Sequence, residues 1–138
     1  MTNEPKFADL DATGDVQRDA ADQLTTAAER LAREANGTRS SVTPAPVAYD
    51  LLGNLKVSLS LLTEVVQHLP QGLERSLHDE RLDVYDQDPW TGVVRDPAHQ
   101  VDLASGHLTK AAQRLQAAVT HAEAAQSALG CQGYRLRR

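Results

Sequence analysis

Three aspartates, Asp83, Asp86 and Asp88, lie close together in a stretch rich in turn-forming residues. Carboxylate oxygens are the ligands that calcium prefers, and an EF-hand loop takes them at positions 1, 3 and 5, with glycine at 6 and glutamate at 12. Counted from Asp83, the aspartates stand at positions 1, 4 and 6, and position 12 is Val94. The spacing therefore indicates a solvated acidic loop.

The five histidines are a second set of residues that could do chemistry. Zinc ligands on one helix recur at i and i+4, and no histidine pair has that spacing; the Glu-x-x-His pattern of di-iron sites does not occur either. His107 and His121 are 14 residues apart, which is about 21 Å along a helix and too far for one metal ion. We therefore expect no metal ligands and no cofactor.

The single cysteine, Cys131, has no intramolecular disulfide partner and cannot form a cysteine zinc site. Arginines stand nearby, but no catalytic motif surrounds this cysteine. The chain also lacks the glycine-rich phosphate loops GxGxxG and GxxxxGK[ST]. We assign no catalytic residue and expect that the protein is not an enzyme.

The charge balance argues against nucleic acid as a partner. Among 138 residues, 19 are acidic and 14 basic, a net charge of −5, whereas phosphate binding needs a basic face. The one dense basic run is Arg135, Arg137 and Arg138, which indicates a basic, solubilising C-terminal tail over 131–138.

No apolar run approaches the roughly 20 residues that span a bilayer, and residues 1–6 lack the plan of a signal peptide. These features predict no membrane span and a cytoplasmic location, with secretion without a cleaved signal peptide as the alternative. With 20 alanines, and 11 arginines against 3 lysines, the composition is typical of a GC-rich genome such as that of an actinobacterium.

Three segments have the pattern of helices that would position these residues. The composition of residues 1–13 predicts a flexible N-terminal arm. A helix can begin at Gly14 and Asp15, with Asp15 as its N-cap, and can end at Asn36–Gly37. The first helix is therefore predicted over 15–35. Its stripe, at helical spacing, is Val16, Ala20, Leu24, Ala27, Leu31 and Ala35.

The second helix, predicted over 47–82, follows a linker in which Pro44 and Pro46 block helix propagation. Pro70 interrupts the helix and Gly72 weakens it, which predicts a kink or short break at residues 68–72. Its a/d heptad stripe is Leu52, Leu55, Leu59, Leu62, Val66, Leu69 and Leu73. Further leucines widen or extend this stripe: Leu51, Leu61 and Leu77.

The third helix is predicted over 97–129. Asp96 can cap it, Pro97 suits its first turn, and Gly130 provides the stop. Its heptad stripe, about half alanine, is Val101, Ala104, Leu108, Ala111, Leu115, Ala118, Ala122, Ala125 and Leu129.

A leucine-rich helix can closely approach an alanine-rich one, and a loop over 83–97 joins the two, so we expect them to pack antiparallel. The predicted fold is all-α: a three-helix bundle built on a long antiparallel helical hairpin, with the second helix kinked near Pro70. One helical domain is expected over 14–130.

The tripeptide Trp90-Thr91-Gly92 lies between the two long helices. This placement resembles the WXG100 family, helical hairpins with a Trp-x-Gly turn that the ESX (type VII) system exports as dimers. The resemblance covers roughly residues 46–130. The loop here is longer than that family's tight turn, and its export motif, Tyr-x-x-x-Asp/Glu, is absent because Arg138 stands four residues after Tyr134.

Three long apolar stripes with few aromatic residues favour a non-enzymatic helical interaction or assembly protein that forms a homodimer or binds another helical protein. An ESX-like secreted or secretion-associated hairpin is one alternative. Another is a small-molecule or metal-binding helical bundle with inward polar groups near His68. The predicted interaction residues are Leu52, Leu55, Leu59, Leu62, Val66, Trp90, Leu108 and Leu115.

Overall fold

A computed structural model describes residues 7–36, 42–133, 135 and 137. Predictions on the first six residues, on residues 37–41 of the stop and linker, and on Tyr134, Leu136 and Arg138 of the tail lie outside the described residues. The predicted helical class is confirmed, with helices of 30, 34 and 33 residues. In chain order the elements are α1 (Phe7–Asn36), α2 (Ala45–His78), β1 (Asp86–Gln87), β2 (Val94–Arg95) and α3 (Pro97–Leu129). None of these helices is long and apolar enough to span a bilayer.

Helix α1 begins at Phe7, so residues 7–13 are helical rather than part of an arm. A single glycine in a helix costs about 1 kcal/mol and does not end it, so the backbone runs through Gly14. Asp15 is consequently not an N-cap; its carboxylate accepts from Arg18 Nη1 at 2.7 Å on the exposed side of the helix.

The chain divides into two units, Met1–Val42 and Thr43–Arg138, rather than one domain over 14–130. In the first unit the largest stripe residues are exposed, with Val16 at 71% and Leu24 at 45%. In the second unit α2 and α3 pack against each other. Because α1 belongs to the first unit, the three-helix bundle stays a prediction.

Helix α2 starts two residues before the predicted position and ends four before it. Pro46 lies in the first turn, where the N–H it lacks would have no helical partner. At the other end, the Asp79 carboxylate accepts from the backbone N of Arg81 at 3.0 Å and from its guanidinium at 2.6–2.8 Å. Such local bonds favour a turn over another helical turn.

The break expected near Pro70 is absent, because α2 is helical on both sides of it and Pro70 lies inside the helix. The loop after α2 is also more ordered than predicted. It contains an antiparallel pair of two-residue strands, with Asp86 opposite Arg95 and Gln87 opposite Val94.

Helix α3 has the bounds that the sequence predicts. The Asp96 side chain accepts from Ala98 N at 3.2 Å and Pro97 occupies the first turn. Gly130 is the C-cap with φ −60°, and its N–H donates to Ser127 O at 3.3 Å. The C-terminal end of α3 therefore does not use the left-handed conformation that favours glycine.

Contacts between α2 and α3 join the beginning of one helix to the end of the other. Gln126 Nε2 donates to Tyr49 O at 3.2 Å. Lys56 Nζ lies 3.6 Å from Glu123 Oε1. Further along α2, Val66 lines one groove together with four residues of α3: Thr109, Ala112, Gln113 and Gln116.

Candidate interaction surface

The seam between α2 and α3 has very few buried side chains. Among the described residues, Ala112 is the one buried apolar residue, at 6% exposure, and Thr63 the one buried polar residue, at 3%. Thr63 Oγ1 satisfies its hydrogen bond by donating to Leu59 O at 2.8 Å. Seven predicted interaction residues are half-buried on these helices: Leu52, Leu55, Leu59, Leu62, Val66, Leu108 and Leu115.

At one position in each helix, the residue that is buried or half-buried at the seam is the neighbour of the residue that the heptad pattern predicts. In α2, Leu69 is 46% exposed and Pro70 is half-buried instead. In α3, Ala111 is exposed and Ala112 is buried. Pro70 and Ala112 line the same groove, so the two shifts occur at the same level of the pair.

A row of large apolar side chains lies on α2 outside this seam. Val57, Leu61, Val65 and Leu69, here called the outer row, are 46–57% exposed. Their spacing of four residues places them side by side along one strip of the helix. The heptad pattern places Leu61 and Leu69 in the stripe that faces α3 and leaves out both valines, although the spacing at i, i+4, i+8 and i+12 is a signal that identifies this row.

Polar residues of α2 share the strip with the outer row. Successive residues of a helix turn by about 100°, so the positions at 50, 54, 58, 68, 72 and 75 lie within about 60° of the centre of the strip. All six are exposed. Together with the outer row these six residues form what we call the outer face: Asp50, Asn54, Ser58, His68, Gly72 and Arg75. Val47, which is 54% exposed, extends the strip at the beginning of α2.

The histidines of α2 do not form a metal site with their neighbours. His68 Nδ1 lies 2.7 Å from Glu64 O, and His78 Nδ1 lies 3.0 Å from Glu74 O. Within the described ranges, no group of three or more His, Cys, Asp or Glu side chains could hold a metal ion. Cys131 is exposed, as a free thiol.

Polar groups do line the groove beside Pro70, where the small-molecule alternative places them. The polar lining residues are Gln67, Thr109, Gln113 and Gln116. His68 is not among them. The groove offers amide and hydroxyl groups but no acid or base.

Trp90 stands apart from the other predicted interaction residues. It lies in the turn between β1 and β2 and is 93% exposed, so it does not cover the end of the helix pair. The Asp88 carboxylate accepts from Thr91 N at 2.9 Å and from Trp90 N at 2.8 Å, and these bonds lower the pKa of Asp88. Gly92 has φ +70°, a conformation that glycine adopts without strain.

The acidic residues of this region therefore stabilise turns. Asp86 accepts from the Arg95 guanidinium at 2.7 Å across the strand pair. Hydrogen bonds from Arg81 lower the pKa of Asp79 to about 2. Carboxylates held in this way are partners of cations and N–H groups within the chain.

Comparisons of this chain with protein-family models, curated proteins and solved structures give no match.

Proposed function

We propose that this protein is a non-enzymatic helical assembly protein. In this proposal α2 and α3 form an antiparallel hairpin, bent at Pro70, and two copies associate through the outer row. The observation that carries the proposal is the outer row itself: four valine and leucine side chains, 46–57% exposed, side by side on a helix whose opposite side packs on α3.

The thin seam supports self-association. Thr63 and Ala112 are small, and no large side chain among the described residues is fully buried. A helix pair of this kind removes little apolar surface from water, and small folds commonly make up the deficit by oligomerisation.

The outer row is large enough to matter energetically. Full burial of a valine or leucine is worth about 1.5–3 kcal/mol, so covering the exposed half of one contributes about 1 kcal/mol. A symmetric dimer covers the row twice. That contribution suffices to offset a substantial part of the entropic cost of association.

Sedimentation velocity of the full chain tests this proposal. We expect a dimer at micromolar concentration and a monomer for Leu61→Asp, since a carboxylate in an apolar interface is strongly disfavoured. Leu103→Asp is the matched control, because Leu103 is 49% exposed on α3. Circular dichroism verifies that both variants are helical.

A monomeric wild-type chain would refute the proposal. So would equal dimerisation of the wild type and Leu61→Asp, which would exclude the outer row as the interface.

The second candidate is an ESX-like hairpin, favoured by the exposure of Trp90 between two paired helices. It predicts a different helical partner of similar length and export from the cell, whereas the homodimer is proposed to be cytoplasmic. Fractionation of the source cells distinguishes them: protein in the medium without lysis markers favours export, and protein confined to the cytosol favours the homodimer.

A further inference from the structure

We infer that the partner on the outer face is a second copy of this chain, docked antiparallel with its two-fold axis at the level of Thr63. The inference rests on the proposed function and adds to it a direction, a register and two specific ion pairs. Asp50 of each copy meets Arg75 of the partner subunit.

The first support is that the outer face is symmetric about residue 63. An antiparallel pair with its axis at that level brings residue i opposite residue 126 − i. This relation matches Val57 with Leu69, and Leu61 with Val65, so every outer-row residue lies at the same level along the helix as an outer-row residue of the second copy. A register shifted by one turn pairs fewer members of the outer row: with the axis at residue 65, Leu61 falls opposite Leu69 and Val65 opposite its own copy, while Val57 has no outer-row residue opposite it.

The polar positions of the face follow the same relation. Asn54 falls opposite Gly72, and a methyl group at Gly72 would have nothing within 4 Å. This open position leaves room for a side chain of the partner. Ser58 falls opposite His68, and both side chains can form hydrogen bonds.

The charges at the two ends of the face are complementary. Asp50 lies 13 residues before position 63, and Arg75 lies 12 after it, at about 19.5 and 18 Å along the helix. The exact counterpart of Asp50 is Ser76, and Arg75 is its neighbour in the chain, so in the antiparallel register each aspartate lies within about 1.5 Å, along the helix axis, of the partner's arginine. In a parallel register, Asp50 would face Asp50 and Arg75 would face Arg75.

The remaining acid near the centre, Glu64, lies at the edge of the outer face, where water screens the repulsion between the two copies. The other occupant within the same chain would be α1, whose Val16, Leu24 and Leu31 are exposed. Its stripe is half alanine and has no reason to match a face symmetric about residue 63. The symmetry favours a second copy.

Charge exchange tests the register in the full chain. We expect Asp50→Arg and Arg75→Asp each to weaken dimerisation about tenfold, which corresponds to about 1.4 kcal/mol, because each turns two attractive pairs into two repulsive ones. The double variant Asp50→Arg/Arg75→Asp restores the wild-type constant. Asp102→Arg, an exposed charge reversal on α3, is the matched control and should have no effect. Sedimentation equilibrium measures all four.

A distance measurement tests the direction independently. With Cys131→Ser removing the native thiol, a spin label at Val47→Cys should give an intermolecular distance of about 48 Å, since residue 79 is its opposite and lies 32 residues away. A parallel dimer gives about 10–20 Å for the same label.

The outcomes separate the two levels of the proposal. If Leu61→Asp dissociates the dimer but the charge exchanges have no effect, or the spin label gives the short distance, the proposed function is retained and the antiparallel register is overturned. A monomeric chain without an intermolecular distance overturns both and points to α1 or a different protein as the occupant.

Discussion

Replacing Gly53 by alanine tests how closely α2 and α3 approach. A methyl group at Gly53 would lie 2.7 Å from Gln126 Nε2, closer than real side chains allow. The same amide donates to Tyr49 O at 3.2 Å. Gly106 in α3 provides the matched control, since a methyl group there has nothing within 4 Å.

The expected magnitudes follow from these distances. Alanine is favoured over glycine inside a helix by about 0.8–1 kcal/mol, and Gly106→Ala should show this gain in full. At Gly53 the methyl group displaces the Gln126 amide and breaks a hydrogen bond worth about 0.5–1.5 kcal/mol. The gain and the loss nearly cancel, so the two variants should differ by about 1 kcal/mol in free energy of unfolding.

Urea unfolding at one fixed protein concentration measures the difference, because association would otherwise contribute. Adding Gln126→Ala removes the obstructing amide, so Gly53→Ala should become stabilising in that background. The double-mutant cycle then gives a coupling of about 1 kcal/mol. Equal gains for Gly53→Ala and Gly106→Ala, or no coupling, would refute the close approach of Gly53 to Gln126.

Three further predictions concern single residues. Pro70→Ala should stabilise the chain by about 1–3 kcal/mol in urea unfolding, since an interior proline costs about 3 kcal/mol; a loss would indicate that the ring packs more favourably than the restored hydrogen bond. Asp96→Ala, which leaves Ala98 N without its capping acceptor, should cost about 1 kcal/mol by the same assay, and an unchanged midpoint would contradict the cap. The pKa of Asp79 is lowered to about 2 from 3.8, so its contribution to the free energy of unfolding is present above pH 3.8 and lost as the pH falls towards 2. Arg81→Gln should raise the pKa of this carboxyl, as measured by NMR titration. An unchanged pKa would rule out the guanidinium as the cause.

The helical elements could be predicted from the sequence, whereas the exact seam could not. A straight helix has 3.6 residues per turn, so a strict heptad drifts by about 20° per repeat. The buried and half-buried positions compensate for this drift by a step of four residues in each helix, from Val66 to Pro70 and from Leu108 to Ala112. Because Ala111 and Ala112 are the same residue type, periodicity alone did not distinguish the buried alanine from the exposed one.

The sequence predicts an end of α2 at residue 82, four residues beyond the observed end at His78, and the reason for the difference is local. The sequence predicts a helix that reaches Leu82, because the turn-forming residues begin at Asp83. Three hydrogen bonds between Asp79 and Arg81 instead fix a turn, and Leu82 N donates to Asp79 O at 3.0 Å within it. An aspartate two residues before an arginine is too common a pair to identify such a turn in advance.

The same ambiguity explains why the predicted interaction residues of α2 and the outer row lie on different sides of the helix. A helix with apolar residues on most of its circumference packs on more than one neighbour, and the sequence does not say which neighbour takes which side. The structure gives α3 the side of Thr63 and leaves Leu61 exposed at 57%. A single seam would need only one stripe, so the second stripe of large side chains on α2 requires its own explanation. Fully exposed valine and leucine would gain nothing from that regular spacing of four residues, whereas a helix of a second copy, lying along the strip, would cover all four at once.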